Sequence, residues 1–339
     1  MIAPTSARRE LALLIAPWHP DALHELTETE CSAALPFAHG VKVVDFQLAN
    51  LARAGLREVI VLQPGLPRSS LRDHIRRVWR PSFRRIACLG GHACAGQQDY
   101  GALHRFLALI EGVDPDDLLL LAADHICESD IAGLIAFHQA GRNLVTLGAH
   151  QAGGAGPFTD WIAALNGGAR AGIGMVVLNW KWFRACLARL PGAGADLPQQ
   201  VIMAASREAG LQMRDAGEAG LYWRRLDCLD TFRLAWLDFI SGPGLPCSLP
   251  LPPAMAQRFN TGAGAGVLRG MGDSVVMPGA SVSPRAHVSR AIIAPGAHVP
   301  DGMVIGEDPE QDARLFRVTP GGTTLVTAEM LATAAAAGF

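Results

Sequence analysis

The sequence predicts an α/β domain built on a doubly wound sheet, followed by a short parallel β-helix. Three observations carry the prediction. Through residue 240, apolar runs of strand length alternate with helical patterns. From Ser241 a Pro- and Gly-rich stretch without periodicity intervenes. Beyond it, aliphatic residues recur at steps of about six. These changes set the expected boundaries: an α/β domain over 1–240, a linker over 241–265 and a β-helix with its tail over 266–339.

The strands come first. "LALLIA" from Leu11, "REVIVL" from Arg57, "DLLLLAAD" ending at Asp124 and "NLVTLGA" from Asn143 are short apolar runs fit for a sheet buried on both faces. Between them, "DFQLANLARAG" (Asp45 to Gly55) repeats its apolar residues at near-helical spacing and stops on glycine, while "SSLRDHIRRVW" opens on a serine expected to cap a helix. Alternation of this kind predicts parallel strands, with ligands beyond their carboxyl ends. That places the residues after Ala16, and Asp124, at the productive edge.

After the linker, Val276, Val282, Val288, Ile293, Val299 and Ile305 follow a hexapeptide rhythm with Gly and Pro at the turns. Each step forms one side of a triangular coil and turns its aliphatic residue inward. Six sides make only two coils, so the piece is expected to lean on the first domain or on another subunit. "TAEMLATAAAAGF" closes the chain as an alanine-rich helix.

Composition excludes several function classes. Half the residues are apolar and 18% charged, which excludes a mainly disordered chain, and a net charge of -2 without a basic run gives no support to nucleic-acid binding. Seven scattered cysteines with no C-x-x-C pair suit a reducing compartment. Neither a signal-type apolar segment at the start nor a membrane-length apolar run is present, so the expected location is the cytoplasm.

The residues point to a family. "ALPFAHGVKVVDFQLANLARAGLREVIVLQPGLPRSSLRDHIRRVW", "LLLLAADHICESDI", "LYWRRLDCLDTFRLAWLDF" and "HVPDGMVIGEDPEQDARLFRVTPGGTTLVTAEML" resemble, in order, bacterial ADP-glucose pyrophosphorylase (glucose-1-phosphate adenylyltransferase). The resemblance implies a Rossmann-like, glycosyltransferase-A-like nucleotidyltransferase domain with a left-handed β-helix. It also implies tetramers and an activity that joins ATP to glucose 1-phosphate with Mg²⁺.

The chain departs from the family at its ligand contacts. The family's glycine-rich phosphate loop falls on Pro17, Trp18 and Pro20, and its arginine on Ala22. Prolines remove N–H donors that would meet phosphates. Two further cationic positions fall on Glu30 and Ser32. Of the two metal aspartates, Asp124 matches the first, whereas the second falls on Arg225; Asp227, two residues on, would serve only after a register shift. The glycine-threonine-alanine-aspartate motif becomes Gly96-Gln97-Gln98-Asp99. The sugar-phosphate lysine has no counterpart between Gly148 and Gly172, where Arg170 is the one cation. Activator-binding cations fall on Thr29, Pro36, Ala328 and Ala332, with Lys42 alone keeping its charge.

These losses imply an inactive or impaired relative that needs no cofactor, a non-catalytic or regulatory subunit in glycogen-type glucan synthesis. It would assemble with itself or with an active ADP-glucose pyrophosphorylase. The alternatives are an active adenylyltransferase rearranged around His19, Asp124 and Asp227, which would use Mg²⁺, and a nucleotide or sugar-phosphate sensor. Two other constellations are weaker. His92, Cys94, His125 and Cys127 lack a zinc spacing and read as core polar residues. Arg72, Arg76, Arg77, Arg80, Arg84 and Arg85 read first as a solvated helix face, and second as a surface for an anion or an acidic partner.

Overall fold

A computed structural model describes residues 8–16, 20–65, 69–91, 100–150, 171–189, 197–215, 222–241, 247 and 273–337. Its centre is a seven-stranded sheet. From one edge to the other the strands are Leu211–Asp215, Val145–His150, Ala171–Asn179, Asp117–Ala122, Glu10–Ile15, Glu58–Pro64 and Arg85–Gly91. The strand Ala171–Asn179 runs antiparallel to both neighbours; every other pairing is parallel. The sheet is therefore mixed where the sequence alternation predicts a wholly parallel one, because periodicity reports burial and not strand direction.

Alternate residues of the first strand feed two cores. Ala12 and Leu14 face one, with Phe37, Phe46, Trp79 and Trp236, while Leu11 and Leu13 face the other, with Trp180, Phe183 and Val201. Both faces are thus covered by helices, as a doubly wound sheet requires.

The helix expected at "SSLRDHIRRVW" forms as a regular turn over Leu71–His74, a wider π-turn over Ile75–Trp79 and a 3-10 turn over Arg80–Ser82. Ser70 does not cap it with its side chain. Instead the Glu30 carboxylate takes the Ser70 backbone N–H at 3.0 and 2.9 Å and also accepts from the Ser70 hydroxyl. A carboxylate at a helix start satisfies an otherwise unpaired donor and opposes the helix dipole. The helix is then bolted down by Asp45, fully buried, which accepts from Trp79 Nε1 and pairs with His74 Nε2, both at 2.6 Å.

Beyond the linker, most of which lies outside the described residues, the hexapeptide rhythm becomes a parallel β-helix. Strands stack on three sides: Val275–Val276, Ala291–Ile293 and Thr324–Val326; Ser281–Val282 and His298–Val299; His287–Val288 and Val304–Ile305. Val276, Val288, Ile293, Val299 and Ile305 fill the interior, with Val282 partly buried against them. "VIGEDPEQD" ends the coils. Gly306 sits at φ +87° where a Cβ would meet the Ser289 carbonyl at 1.7 Å, so no other residue fits. Asp308 caps the helix Pro309–Leu315, and Asp312 reaches back to the Gly306 N–H at 2.7 Å.

The short coil does lean on the α/β domain. Val275, Met277, Ile292, Ala294 and Leu325 belong to the same core as Phe232 and Trp236 of the helix Leu229–Ile240. Arg233 of that helix donates to Thr323 Oγ1 and the Asp273 carbonyl, at 3.0 and 2.7 Å, and Asp230 accepts from Thr319 and Thr323. Cys247, the one described residue between Ser241 and Asp273, is buried in that core too.

Candidate functional site

The site lies where the central strands end. Ile15 pairs with Ala122, the Ala123 N–H donates to the Ile15 carbonyl, and the Ala16 N–H donates to the Leu62 carbonyl. The chain leaving the first strand and the chain carrying Asp124 therefore emerge side by side.

Pro17, Trp18 and His19 lie outside the described residues, as do Gly96, Asp99 and Arg170. The chain is next described in a short helix, Pro20–Leu23, and a 3-10 turn, His24–Thr27. Ala22 is half-buried and packs on the core that takes Leu23 and Leu26. Glu25, in contrast, turns outward to Arg317 of the β-helix tail, which donates to its carboxylate from Nε at 2.9 and 2.7 Å and from Nη2. The Arg317 guanidinium holds the Glu25 carboxyl below its ordinary range.

Glu30 and Ser32 do not form an anion site. Glu30 is bonded to Ser70, as described above, and Ser32 is buried at the head of a 3-10 turn. Lys42, at an activator position of the family, is tied down as well: its ammonium donates to the Ala34 carbonyl and to Ser70 Oγ. Burial pulls its pKa below the usual lysine value. Thr29, Ala328 and Ala332 are exposed and uncharged.

Asp124 lies at the centre of the strand-end site. It is buried, and its carbonyl accepts the Leu226 N–H at 3.3 Å. The strand Trp223–Arg225 pairs antiparallel with His125–Cys127, and the register puts Arg225 opposite His125. The Arg225 guanidinium consequently stands 3.9 Å from one Asp124 oxygen, while His125 Nε2 stands 3.7 Å from the other. Neither is a hydrogen-bond distance. Asp227 does not replace it: it is exposed and accepts from Thr231 Oγ1 at 3.0 Å, at the start of the next helix.

This donor set does not fit Mg²⁺. That ion demands close octahedral oxygen ligands, commonly a carboxylate or two with phosphates and water. Here one carboxylate faces a permanent cation, and no three His, Cys, Asp or Glu converge among the described residues. The zinc constellation fares similarly. His92 and Cys94 fall outside the described residues, and burial pushes the Cys127 thiol up to about 11, against the lowering effect of its contacts with Ser129 and Gln47.

Sequence reasoning finds the residues of the strand-end site but not the bonds that hold the surrounding loops. Glu30–Ser70 and Glu25–Arg317 join residues 40 and 292 positions apart, with no local pattern to announce them.

Comparison with known proteins agrees with this layout. Residues 21–158 match the family Nucleotidyl transferase, and residues 267–326 match GlmU-like, C-terminal hexapeptide. Similar proteins include the glucose-1-phosphate adenylyltransferases of Teredinibacter turnerae (26% identical, covering 96% of each chain) and Rhodospirillum rubrum (27%, 96% of each). That of Thiobacillus denitrificans is 26% identical over 96% of this chain and 91% of its own. The Teredinibacter alignment spans 404 positions against a chain of 339, so the relatives carry segments that are shortened here.

Proposed function

Because the chain belongs to the ADP-glucose pyrophosphorylase (glucose-1-phosphate adenylyltransferase) family, we propose that it is a non-catalytic member, a cytoplasmic regulatory or structural subunit in α-glucan synthesis. The observation that carries this reading is Arg225 beside Asp124. Transfer of a nucleotidyl group needs positive charge brought to the phosphates and a metal to bridge them. An internal guanidinium neutralises the one carboxylate left to recruit that metal. Pro17, Pro20 and Ala22, at phosphate-loop positions, and Glu30, at a cationic one, support the same reading from the sequence.

The fold and its seam are intact while ligand positions are altered, which suits a chain kept for assembly. Its partner is then a second copy or an active family member. The test is twofold. Purified protein with ATP, glucose 1-phosphate and Mg²⁺ is expected to release no pyrophosphate above background. Co-expression with an active family member is expected to give a co-purifying complex of altered kinetics or activator response. Metal-dependent turnover abolished by Asp124→Ala would instead establish the rearranged enzyme. Calorimetric binding of ATP or ADP-glucose without turnover or co-purification would establish the sensor.

A further inference from the structure

A second surface lies at one edge of the sheet, apart from the Asp124–Arg225 pair. The strand Arg85–Gly91 ends the seven-stranded order, hydrogen-bonded to Glu58–Pro64 on one side and to no strand on the other among the described residues. Beside it runs the irregular helix of residues 71–82. A groove of about 600 Å³ lies between the two, with Arg72, Arg76 and Arg80 on the helix wall and Ile86 to Leu89 on the strand wall.

The three arginines stand at four-residue steps along one helix face, all exposed. Among the described residues none is in an ion pair with a carboxylate; Arg80 reaches only the Phe83 carbonyl, at 3.4 Å, and Arg72 the Cys88 thiol. By contrast, Arg84 on the same edge is paired with Glu58. Ile86, Ala87, Cys88 and Leu89 are half-buried; side chains alternate along the strand, so Ile86 and Cys88 pack on the core beneath the helix, beside the row of cations, and Leu89 on the core of the other face. An exposed strand edge offers backbone donors and acceptors to an incoming strand, and guanidinium groups prefer carboxylates.

We propose that this groove docks an extended acidic segment of a partner protein, added as an eighth strand along Arg85–Gly91, with its carboxylates turned to Arg72, Arg76 and Arg80 and its alternate apolar side chains on the opposite face of the sheet, beside Leu89. The charge complementarity chooses the occupant: a neutral or basic strand would leave the arginine row unpaired or repelled. The inference rests on this surface alone and is independent of whether the strand-end site is active.

The probe is a fluorescein-labelled peptide alternating glutamate and valine, followed by anisotropy with the full chain. Saturable binding is expected, weakened by added salt and weakened about tenfold or more by the triple variant Arg72→Glu, Arg76→Glu, Arg80→Glu. Peptides alternating lysine or serine with valine are expected not to bind. Independently of any variant, hydrogen exchange of the unmodified protein is expected to show the peptide protecting amides within residues 85–91. No binding, equal binding to the charge-reversed variant, or binding without protection of that strand each overturns the proposal. So does equal binding of a glutamate–serine peptide or of inorganic polyphosphate, which would reduce the arginine row to a general anion patch.

Discussion

The seam between the two modules and the strand-end site handle buried charge in opposite ways. At the seam, Arg233 is buried with two close hydrogen bonds, and Asp230 meets two threonine hydroxyls. At the strand end, Asp124 and Arg225 are also largely buried, yet they stand 3.9 Å apart and the Asp124 Oδ1 oxygen has no hydrogen-bond partner among the described residues. Buried polar groups are normally satisfied, and the exceptions gather where a ligand has or had a place. The difference teaches that assembly of the two modules is tightly specified, while the strand-end pair is merely neutralised.

The comparison can be broken or sharpened by mutation. The largest effect is expected beneath the seam. Phe37 packs its ring against Phe46, Phe232, Trp236 and Phe239 at 5.2–6.3 Å, so Phe37→Ala should cost about 3–5 kcal/mol in urea unfolding. A loss below about 1 kcal/mol would mean that this cluster does not anchor the helix Leu229–Ile240. Arg233→Ala removes bonds to Thr323 and Asp273 and should cost about 2 kcal/mol, with unfolding of the two modules ceasing to coincide. Were the two modules still to melt together at the original midpoint, the polar seam would be dispensable.

At the strand-end site the expected change is in binding. Arg225→Asp places a second carboxylate beside Asp124 and should raise affinity for a divalent or lanthanide ion about tenfold, near 1.4 kcal/mol, read by terbium luminescence. On the proposed non-catalytic reading, the substitution alone should produce no pyrophosphorylase activity, because the altered loop positions remain. Luminescence identical to the parent protein would show that the guanidinium is not what excludes the metal.

The smallest effect concerns Glu25 and Arg317, an exposed to half-buried pair, which salt and solvent limit to under about 1 kcal/mol. The Glu25 pKa is lowered in the folded state. The pair therefore stabilises fully above the ordinary glutamate value of 4.5 and loses its contribution as pH falls through the lower folded value. Unfolding of the parent protein and Glu25→Gln should differ slightly at neutral pH and converge in acid. A difference that grows on acidification contradicts the sign.

Much of the fold is legible in the sequence because burial imposes periodicity. "DLLLLAAD" is buried along its whole strand, and the aliphatic steps from Val276 to Ile305 mark the inside of the coil. "VIGEDPEQD" is legible too, since a left-handed glycine, an Asx cap and a proline at the first helical position each follow from local chemistry. Strand direction is not: nothing in "AGIGMVVLN" announces that it runs against its neighbours. The serine expected to cap Leu71–His74 fails for a similar reason, since a carboxylate 40 residues away competes for the same backbone donor.

The sequence by itself determined the two modules, their order and the family they resemble, and the resemblance implies a metal-ligand aspartate at the position of Arg225. Those are properties of composition, period and position along the chain. Only the tertiary structure decided what the substituted residues do. It put the Arg225 guanidinium against Asp124 through an antiparallel register, bonded Glu30 to Ser70, joined Glu25 to Arg317, and left Arg72, Arg76 and Arg80 beside a strand edge that pairs with no other strand among the described residues. Each of these depends on distances between residues remote in sequence, which folding fixes and periodicity cannot encode.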